Sequence, residues 1–257
     1  MRGGVVALIK SSTLVGIDAV TIDVECVITA GQLPAFNIVG LPTTSVKEGA
    51  VRVRSALASV GHEVPQKKVT VNLAPADLRK PGCALDLPTA LSILIADGTF
   101  DGTPLDSLLV LGELGLDGSV RAVPGVLAAA MLARKRRMRG VIVPDRCAAE
   151  ALVVDGIEVY GARHLAQVVD ALAGTSDLPA PSRGSGRRPR RTHCADMAEV
   201  RGQSYARSAI ELAVAGGHNL LISGPPGTGK TMLARRIPSV LPTMTRDESL
   251  EIGRAHV

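Results

Sequence analysis

Three features of this 257-residue chain predict an α/β protein in two parts. Runs with an apolar residue at every second position alternate with runs at helical spacing, the pattern of strands and helices that share a core. A segment rich in Pro, Gly, Ser and Arg, Thr175–Thr192 (TSDLPAPSRGSGRRPRRT), has almost no large apolar side chain to bury and reads as a flexible basic linker. Beyond it, an apolar run, a glycine-rich octapeptide and a helical run follow without a gap. The expected parts are therefore residues 1–174, a linker at 175–192, and a second α/β region from 193 to 250.

In chain order, Val20, Ile22, Val24, Cys26 and Ile28 fall on one face of a strand. Ser45 and Glu48 have the spacing of a capping box, opening a helix that carries Val46, Ala50, Val53, Leu57 and Val60. Lys67–Leu73 (KKVTVNL) alternates again. Asp86 is placed to cap a helix through LPTALSILIA, with Pro88 tolerated in its first turn. Leu108–Leu111 and Val141–Val143 read as short buried strands with a long Ala-rich helix between them, which Gly140 is placed to end. A helix near Cys147–Val153, a strand at Ile157–Tyr160 and a helix at Leu165–Leu172 complete the first part. In the second, a helix at Ser204–Ala215 precedes a buried strand at His218–Ser223, and Thr231–Ile237 is helical. This predicts a mixed sheet and no internal repeats.

Composition narrows the function classes. Lys and Arg number 29 against 24 Asp and Glu, a net charge of +5, and Arg183, Arg187, Arg188, Arg190 and Arg191 supply that excess by themselves. The rest of the chain is balanced, so a surface uniformly coated for nucleic acid is not expected. Aromatic residues are 2% with no Trp, too few for a base-stacking platform. No apolar run approaches the ~18 residues of a membrane span, and the start MRGGVVALIKSS is a poor signal peptide, so a cytoplasmic protein with no membrane partner is expected. Cys26, Cys83, Cys147 and Cys194 never form C-x-x-C and are expected as free thiols.

The octapeptide Gly224–Thr231 (GPPGTGKT) fits G-x-x-x-x-G-K-[ST]. Such a loop turns tightly on its glycines and points backbone N–H groups at phosphate oxygens. The expected phosphate site is Gly224, Pro225, Pro226, Gly227, Thr228, Gly229, Lys230 and Thr231. Lys230 reaches the β- and γ-phosphates of ATP, and the Thr231 hydroxyl holds Mg²⁺. The bland alternative, a chance match in a chain rich in Gly and Pro, is opposed by the apolar run before the loop and the helical run after it.

Several segments resemble one family. NIVGLP at Asn37–Pro42, VNLAPADLRKPG at Val71–Gly82, DLPTAL at Asp86–Leu91 and LGELGLDGSVRAVPGVL at Leu111–Leu127 are similar to the N-terminal half of the YifB/ComM family of magnesium-chelatase-like AAA+ ATPases. DMAEVRGQ at Asp196–Gln203 and the stretch Ala215–Pro242 resemble the start of that family's ATPase module. The resemblance implies an α+β N-terminal domain of the ribosomal-protein-S5-domain-2 type, shared with the Lon protease domain and catalytically inactive here. It implies that Val200 and Gly202 border the adenine, and that the full-length protein works as a homo-hexameric, ATP-driven DNA motor in branch migration. A magnesium-chelatase motor subunit and a non-catalytic docking or DNA-binding module are the alternatives. In this family the acidic metal-binding residue, the sensor and the arginine finger that hydrolysis needs lie downstream of Pro242. The chain is accordingly expected to be an N-terminal fragment that binds nucleotide without turning it over. The end, Glu251–Val257 (EIGRAHV), departs from the family's continuation, and its back-translation contains the start of a common sequencing adapter, so 251–257 is expected to be non-native.

The Lon kinship raises a Ser–Lys peptidase as a rival. The segment where the nucleophile would stand reads Pro81-Gly82-Cys83-Ala84-Leu85-Asp86, without a serine, and Leu127 stands where the lysine would be. Covalent catalysis needs both groups, and Cys83 has no His beside it in the sequence. The run Arg134-Lys135-Arg136-Arg137-Met138-Arg139 fits either a phosphate-contacting patch or cations complementing a helix C-terminus. A lone His218 is no metal site.

Overall fold

The computed structural model describes residues 6–30, 33–80, 82–182 and 195–255. The chain divides into two compact units, Met1–Gly184 with Leu250–Val257, and Ser185–Ser249. Among the described residues no helix is long and apolar enough to cross a membrane.

The first unit is organised by one long hairpin. Strands β1 (Val6–Val15) and β2 (Asp18–Thr29) pair antiparallel across a turn at Gly16, whose φ of 64° suits glycine. Register puts Ala7 opposite Cys26, Ile9 opposite Val24 and Ser11 opposite Ile22, so one face of both strands enters the core. Strand β3 (Ala35–Val39), helix α1 (Thr44–Ser59) and strand β4 (Lys68–Ala74) form a parallel crossover unit, and β4 pairs antiparallel with β2. Then follow α2 (Asp86–Ala96), β5 (Leu108–Val110), a small hairpin of β6 (Glu113–Leu114) and β7 (Val120–Arg121), α3 (Val126–Lys135), β8 (Gly140–Pro144), α4 (Ala148–Ala151), β9 (Glu158–Ala162) and α5 (Leu165–Leu172). The sheet order is β3-β4-β2-β1-β5-β8-β9, with four parallel and two antiparallel pairings. It is a mixed α/β architecture. One face of the sheet meets α1, α2 and α5 through Val53, Leu57, Leu91 and Val168, among others; Val141 and Val143 on the other face meet α3 through Ala129 and Ala133.

Several local signals resolve differently from their sequence reading. Ser45 does not cap α1: the N-cap is Thr43, and its hydroxyl contacts Ser45 Oγ at 2.9 Å and donates to Lys80 O at 3.1 Å instead of capping the helix. Asp86 does not cap α2 either. Its carboxylate takes the Arg52 guanidinium in a fork, Nε to Oδ2 at 2.7 Å and Nη2 to Oδ1 at 3.1 Å, and accepts from Leu114 N at 3.3 Å. A charged partner from α1 outcompetes the helix's own N–H groups. Gly140 does not end α3. Arg137 does, at φ 56°, with Arg137 N bonding Arg134 O and Met138 N bonding Ala133 O, a Schellman closure without glycine. Gly140 instead begins β8, where a Cβ would lie 2.1 Å from Glu158 O.

Lys80 is the largest fully buried side chain. Its ammonium donates to Gly40 O at 2.8 Å and to Pro75 O, stitching the β3 and β4 ends together. Burial pulls its pKa below the usual lysine value, against a weaker upward pull from Asp77. Residues 175–182, expected as the start of the linker, lie against β9. Gly161 N donates to Pro179 O at 2.9 Å, and Ser182 donates from N and Oγ to Asp145, each at 2.6 Å. Burial raises the Asp145 carboxyl, but bonds from Ser182 and Arg163 outweigh it and hold it below the usual range. The anchored carboxylate explains why this segment is tied down. The rest of the expected linker, 183–192, with its five arginines, lies outside the described residues.

The second unit contains α6 (Ser204–Gly216), α7 (Lys230–Ala234) and α8 (Arg246–Ala255), the last running on into the first unit's portion of the chain. A small core of Met197, Val200, Ile210 and Leu233 joins the segment before α6 to α6 and α7. Arg236 clamps it by donating to Asp196 O at 3.1 Å, Met232 O at 3.3 Å and Glu199 Oε2 at 3.1 Å.

Candidate phosphate-binding loop

The loop Gly224–Gly229 turns back on itself and delivers Lys230 and Thr231 at the start of α7. Gly227 and Gly229 have φ of 84° and 83°, conformations that side chains with a Cβ rarely take. Thr228 Oγ1 donates to Pro225 O at 2.9 Å and pins the turn internally. Lys230 Nζ donates to Gly224 O and Pro225 O, both at 2.7 Å, so the ammonium sits over the mouth of the loop. The backbone N–H groups of Gly227, Thr228, Gly229, Lys230 and Thr231 have no acceptor among the described residues. A row of free donors beside an ammonium and an exposed hydroxyl is an anion-binding arrangement. The residues fit a polyphosphate, and the Thr231 hydroxyl, which makes no bond among the described residues, fits a hard cation such as Mg²⁺.

Gln203 belongs to this site and escapes sequence reading. It has φ 53° at the N-cap of α6, and its Nε2 donates to Thr228 O at 3.1 Å. A Cβ on Gly229 would come within 3.2 Å of that same nitrogen. Gln203 therefore holds the loop from outside, and the one signal for it is its place one residue after Gly202. Val200 is buried in the small core with Leu233, and its carbonyl accepts from Arg207 Nη1 at 3.4 Å, so its side chain supports the loop's helix from beneath. Gly202 is exposed at φ 69°, next to Gln203.

The expected strand His218–Ser223 does not form. These residues run irregularly, and Leu221 is 91% exposed. A strand exists only with a partner to complete its hydrogen-bond ladder, and among the described residues of this unit there is no second strand. Helix α6 ends at Gly217 (φ 61°), and His218 N closes it by donating to Ala213 O at 2.8 Å.

Elsewhere, no group of three or more His, Cys, Asp or Glu among the described residues is arranged to hold a metal ion. Cys26, Cys83 and Cys147 are free thiols. Burial pushes the Cys26 thiol up to about 12 and raises those of Cys83 and Cys147, the opposite of what a nucleophilic thiolate needs. Leu127 is buried in the core beneath α3. In the basic run, Arg139 pairs with Glu158 at 3.0 Å, and Arg134 and Lys135 occupy the last turn of α3, where cations suit the helix end.

Comparison with known proteins places these elements. Residues 24–146 match the family described as Subunit ChlI of Mg-chelatase, and residues 196–257 the family described as Magnesium chelatase, subunit ChlI. The chain is 42% identical over 241 residues to Uncharacterized protein Rv2897c of Mycobacterium tuberculosis, covering 94% of this chain and 47% of that protein. It is 42% identical over 245 residues to Uncharacterized protein YifB of Salmonella typhimurium, covering 95% and 48%. It is 40% identical over 248 residues to Competence protein ComM of Haemophilus influenzae, again covering 95% and 48%. The chain thus spans about half the length of the curated relatives it matches.

Proposed function

Because this chain belongs to the magnesium-chelatase-like YifB/ComM family, we propose that it carries the nucleotide-binding front of an ATP-driven motor that acts on DNA. The observation that carries the reading is the loop at Gly224–Thr231, with five consecutive amides that have no acceptor among the described residues and Lys230 poised at its mouth. In this reading the amides of Gly227–Thr231 cradle the phosphates. Lys230 exchanges its two carbonyl partners for β- and γ-phosphate oxygens, and the Thr231 hydroxyl ligates Mg²⁺. Bound Mg²⁺ supplies charge neutralisation across the phosphates. Gln203 holds the loop through Thr228 O while Val200 and Gly202 set the segment beside it. Residues 1–174 serve as a Lon-related, non-proteolytic domain, and the whole protein works in the cytoplasm as a homo-hexamer.

Titration of the chain with a fluorescent ATP analogue, with and without Mg²⁺, tests the site. Lys230→Ala removes one charge-assisted contact and is expected to weaken binding roughly 10- to 100-fold. Binding that is unchanged in Lys230→Ala refutes the assignment. A DNA titration across salt concentrations reports the second partner through its slope, and a flat response argues against it.

A further inference from the structure

The second unit holds a cation that its own fold does not use. Arg207 lies half-buried on α6, and its guanidinium makes one long bond, from Nη1 to Val200 O at 3.4 Å. Its Nε is shut off from solvent and has no acceptor among the described residues. No carboxylate among those residues pairs with it. Glu211 follows by four residues, the spacing at which opposite charges on a helix commonly meet, yet the two form no ion pair among the described contacts. Glu199, ahead of the helix, accepts from Arg236 Nη2 at 3.1 Å instead, and Asp196 Oδ1 accepts from Ala198 N at 2.9 Å. A part-buried guanidinium left in this way destabilises the unit. Packing alone therefore gives no reason for an arginine here.

Its place supplies one. Arg207 N donates to Gln203 O at 3.0 Å, so the two residues stand one turn of α6 apart. Gln203 Nε2 in turn reaches Thr228 O in the phosphate loop at 3.1 Å. Val200, whose carbonyl takes the Arg207 guanidinium, packs with Leu233 of α7 in the small core. Arg207 thus turns back toward the segment that borders the loop, not onward along α6 toward Glu211. The phosphates of a nucleotide are already provided for by the amides of residues 227–231 and by Lys230. The sugar and the base remain. Both carry acceptor oxygens or nitrogens, and a guanidinium only donates.

We infer that Arg207 recognises the nucleoside of a nucleotide whose phosphates lie in the loop at 224–231. Its guanidinium donates to an acceptor atom of the base or sugar, and that atom satisfies the donor that the fold leaves unmet. The inference rests on reading the loop as a nucleotide site. It adds a division of labour: the loop and Lys230 bind any chain of phosphates, and Arg207 distinguishes one that carries a nucleoside.

Isothermal titration calorimetry on the full chain with Mg²⁺ tests this by comparing ATP with inorganic tripolyphosphate, which has phosphates and no nucleoside. Arg207→Met keeps the apolar stem and removes every donor. It is expected to weaken ATP about tenfold to hundredfold, as the loss of a hydrogen bond from a charged donor implies, and to leave tripolyphosphate within about twofold. Its Tm is expected to equal or exceed that of the wild type, because the charge removed is unpaired. Where Arg207→Met does not fold, Arg207→Gln, neutral and too short to reach the same atom, is expected to show the same split between the two ligands. Lys230→Ala is expected to weaken both ligands alike. Equal losses for ATP and tripolyphosphate in the Arg207 variants, no loss for either, or a Tm clearly below wild type in Arg207→Met overturns the inference. Tripolyphosphate binding that Lys230→Ala leaves untouched refutes the reading of the loop itself, so the two failures are told apart.

Discussion

Removing the carboxylate of Asp86 is expected to be among the most damaging single changes available in the first unit. Asp86 and Arg52 meet in a two-pronged contact at 2.7 and 3.1 Å, with side chains 4% and 18% exposed. The pair also reaches outward, since Arg52 Nη2 donates to Ser45 O at 3.1 Å and Asp86 accepts from Leu114 N at 3.3 Å, so it joins α1, α2 and β6. Deleting one partner of a buried pair typically costs 3–5 kcal/mol, because the other is left charged without compensation. Arg52 keeps some access to water, which places Asp86→Ala near the lower end, about 3 kcal/mol. For a unit of this size that is a fall of roughly 6–12 °C in Tm. Arg52→Met should behave differently with pH. Burial already raises the Asp86 carboxyl, and Arg52 is the main force pulling it back. Without Arg52 the folded state holds a proton more tightly than the unfolded chain, whose value is about 3.9. Stability of Arg52→Met should therefore rise relative to wild type as pH falls through the raised value, and be least where the carboxyl is ionised. Urea unfolding followed by circular dichroism, on both single variants and the Asp86→Ala/Arg52→Met double variant, gives the cycle. A loss below about 1 kcal/mol for Asp86→Ala, or single-variant losses that simply add, refutes the reasoning.

Two further outcomes concern the sheet. Lys80→Met leaves the carbonyls of Gly40 and Pro75 without their donor and should cost about 3 kcal/mol. Lys80 binds its proton less tightly folded than unfolded, so wild-type stability gains from this group as pH rises from the lowered value towards about 10.4, and the urea-measured penalty of Lys80→Met should grow with pH. Gly140→Ala puts a methyl 2.1 Å from Glu158 O and should separate the start of β8 from β9, costing about 3 kcal/mol and raising hydrogen exchange at Val141 and Val159; wild-type exchange rates there would show that the strands tolerate it.

The parts of the fold that the sequence announces are those where one face of an element meets an apolar core. Val20 to Ile28, Lys67 to Leu73 and Leu165 to Leu172 keep their period because the same side faces inward throughout. β1 hides because its inward positions include Ser11 and Thr13, and burial of Ser11 is possible only through a carbonyl 99 residues away, Val110 O. β6 and β7 are two residues each, too short to show a period. The misplaced caps share a different cause. Ser45, Asp86 and Gly140 are each competent for the local role that their residue type suggests, but Ser45 is engaged by its neighbour Thr43, and Asp86 and Gly140 are claimed from farther along the chain by Arg52 and the close approach of Glu158. Local propensity proposes an end, and tertiary contacts decide it.

The phosphate loop separates these two kinds of information most sharply. Its turn is written into adjacent residues, since two left-handed glycines, one Thr228–Pro225 bond and a lysine that bridges back to Gly224 need nothing from elsewhere. That is why it is legible from eight letters. The apolar run before it, residues 218–223, carries the composition of a buried strand but not the ladder, because a ladder belongs to two segments and the second is not among the described residues of this unit. What steadies the loop instead is Gln203, a polar side chain from the far end of α6 in contact with a backbone carbonyl, and Val200 in the small core beneath α7. Donor geometry and support are thus separable. Gln203→Ala should leave the loop's own turn intact while loosening its position, which lowers nucleotide affinity less than Lys230→Ala does. A loss equal to that of Lys230→Ala would mean that the two residues act as one unit.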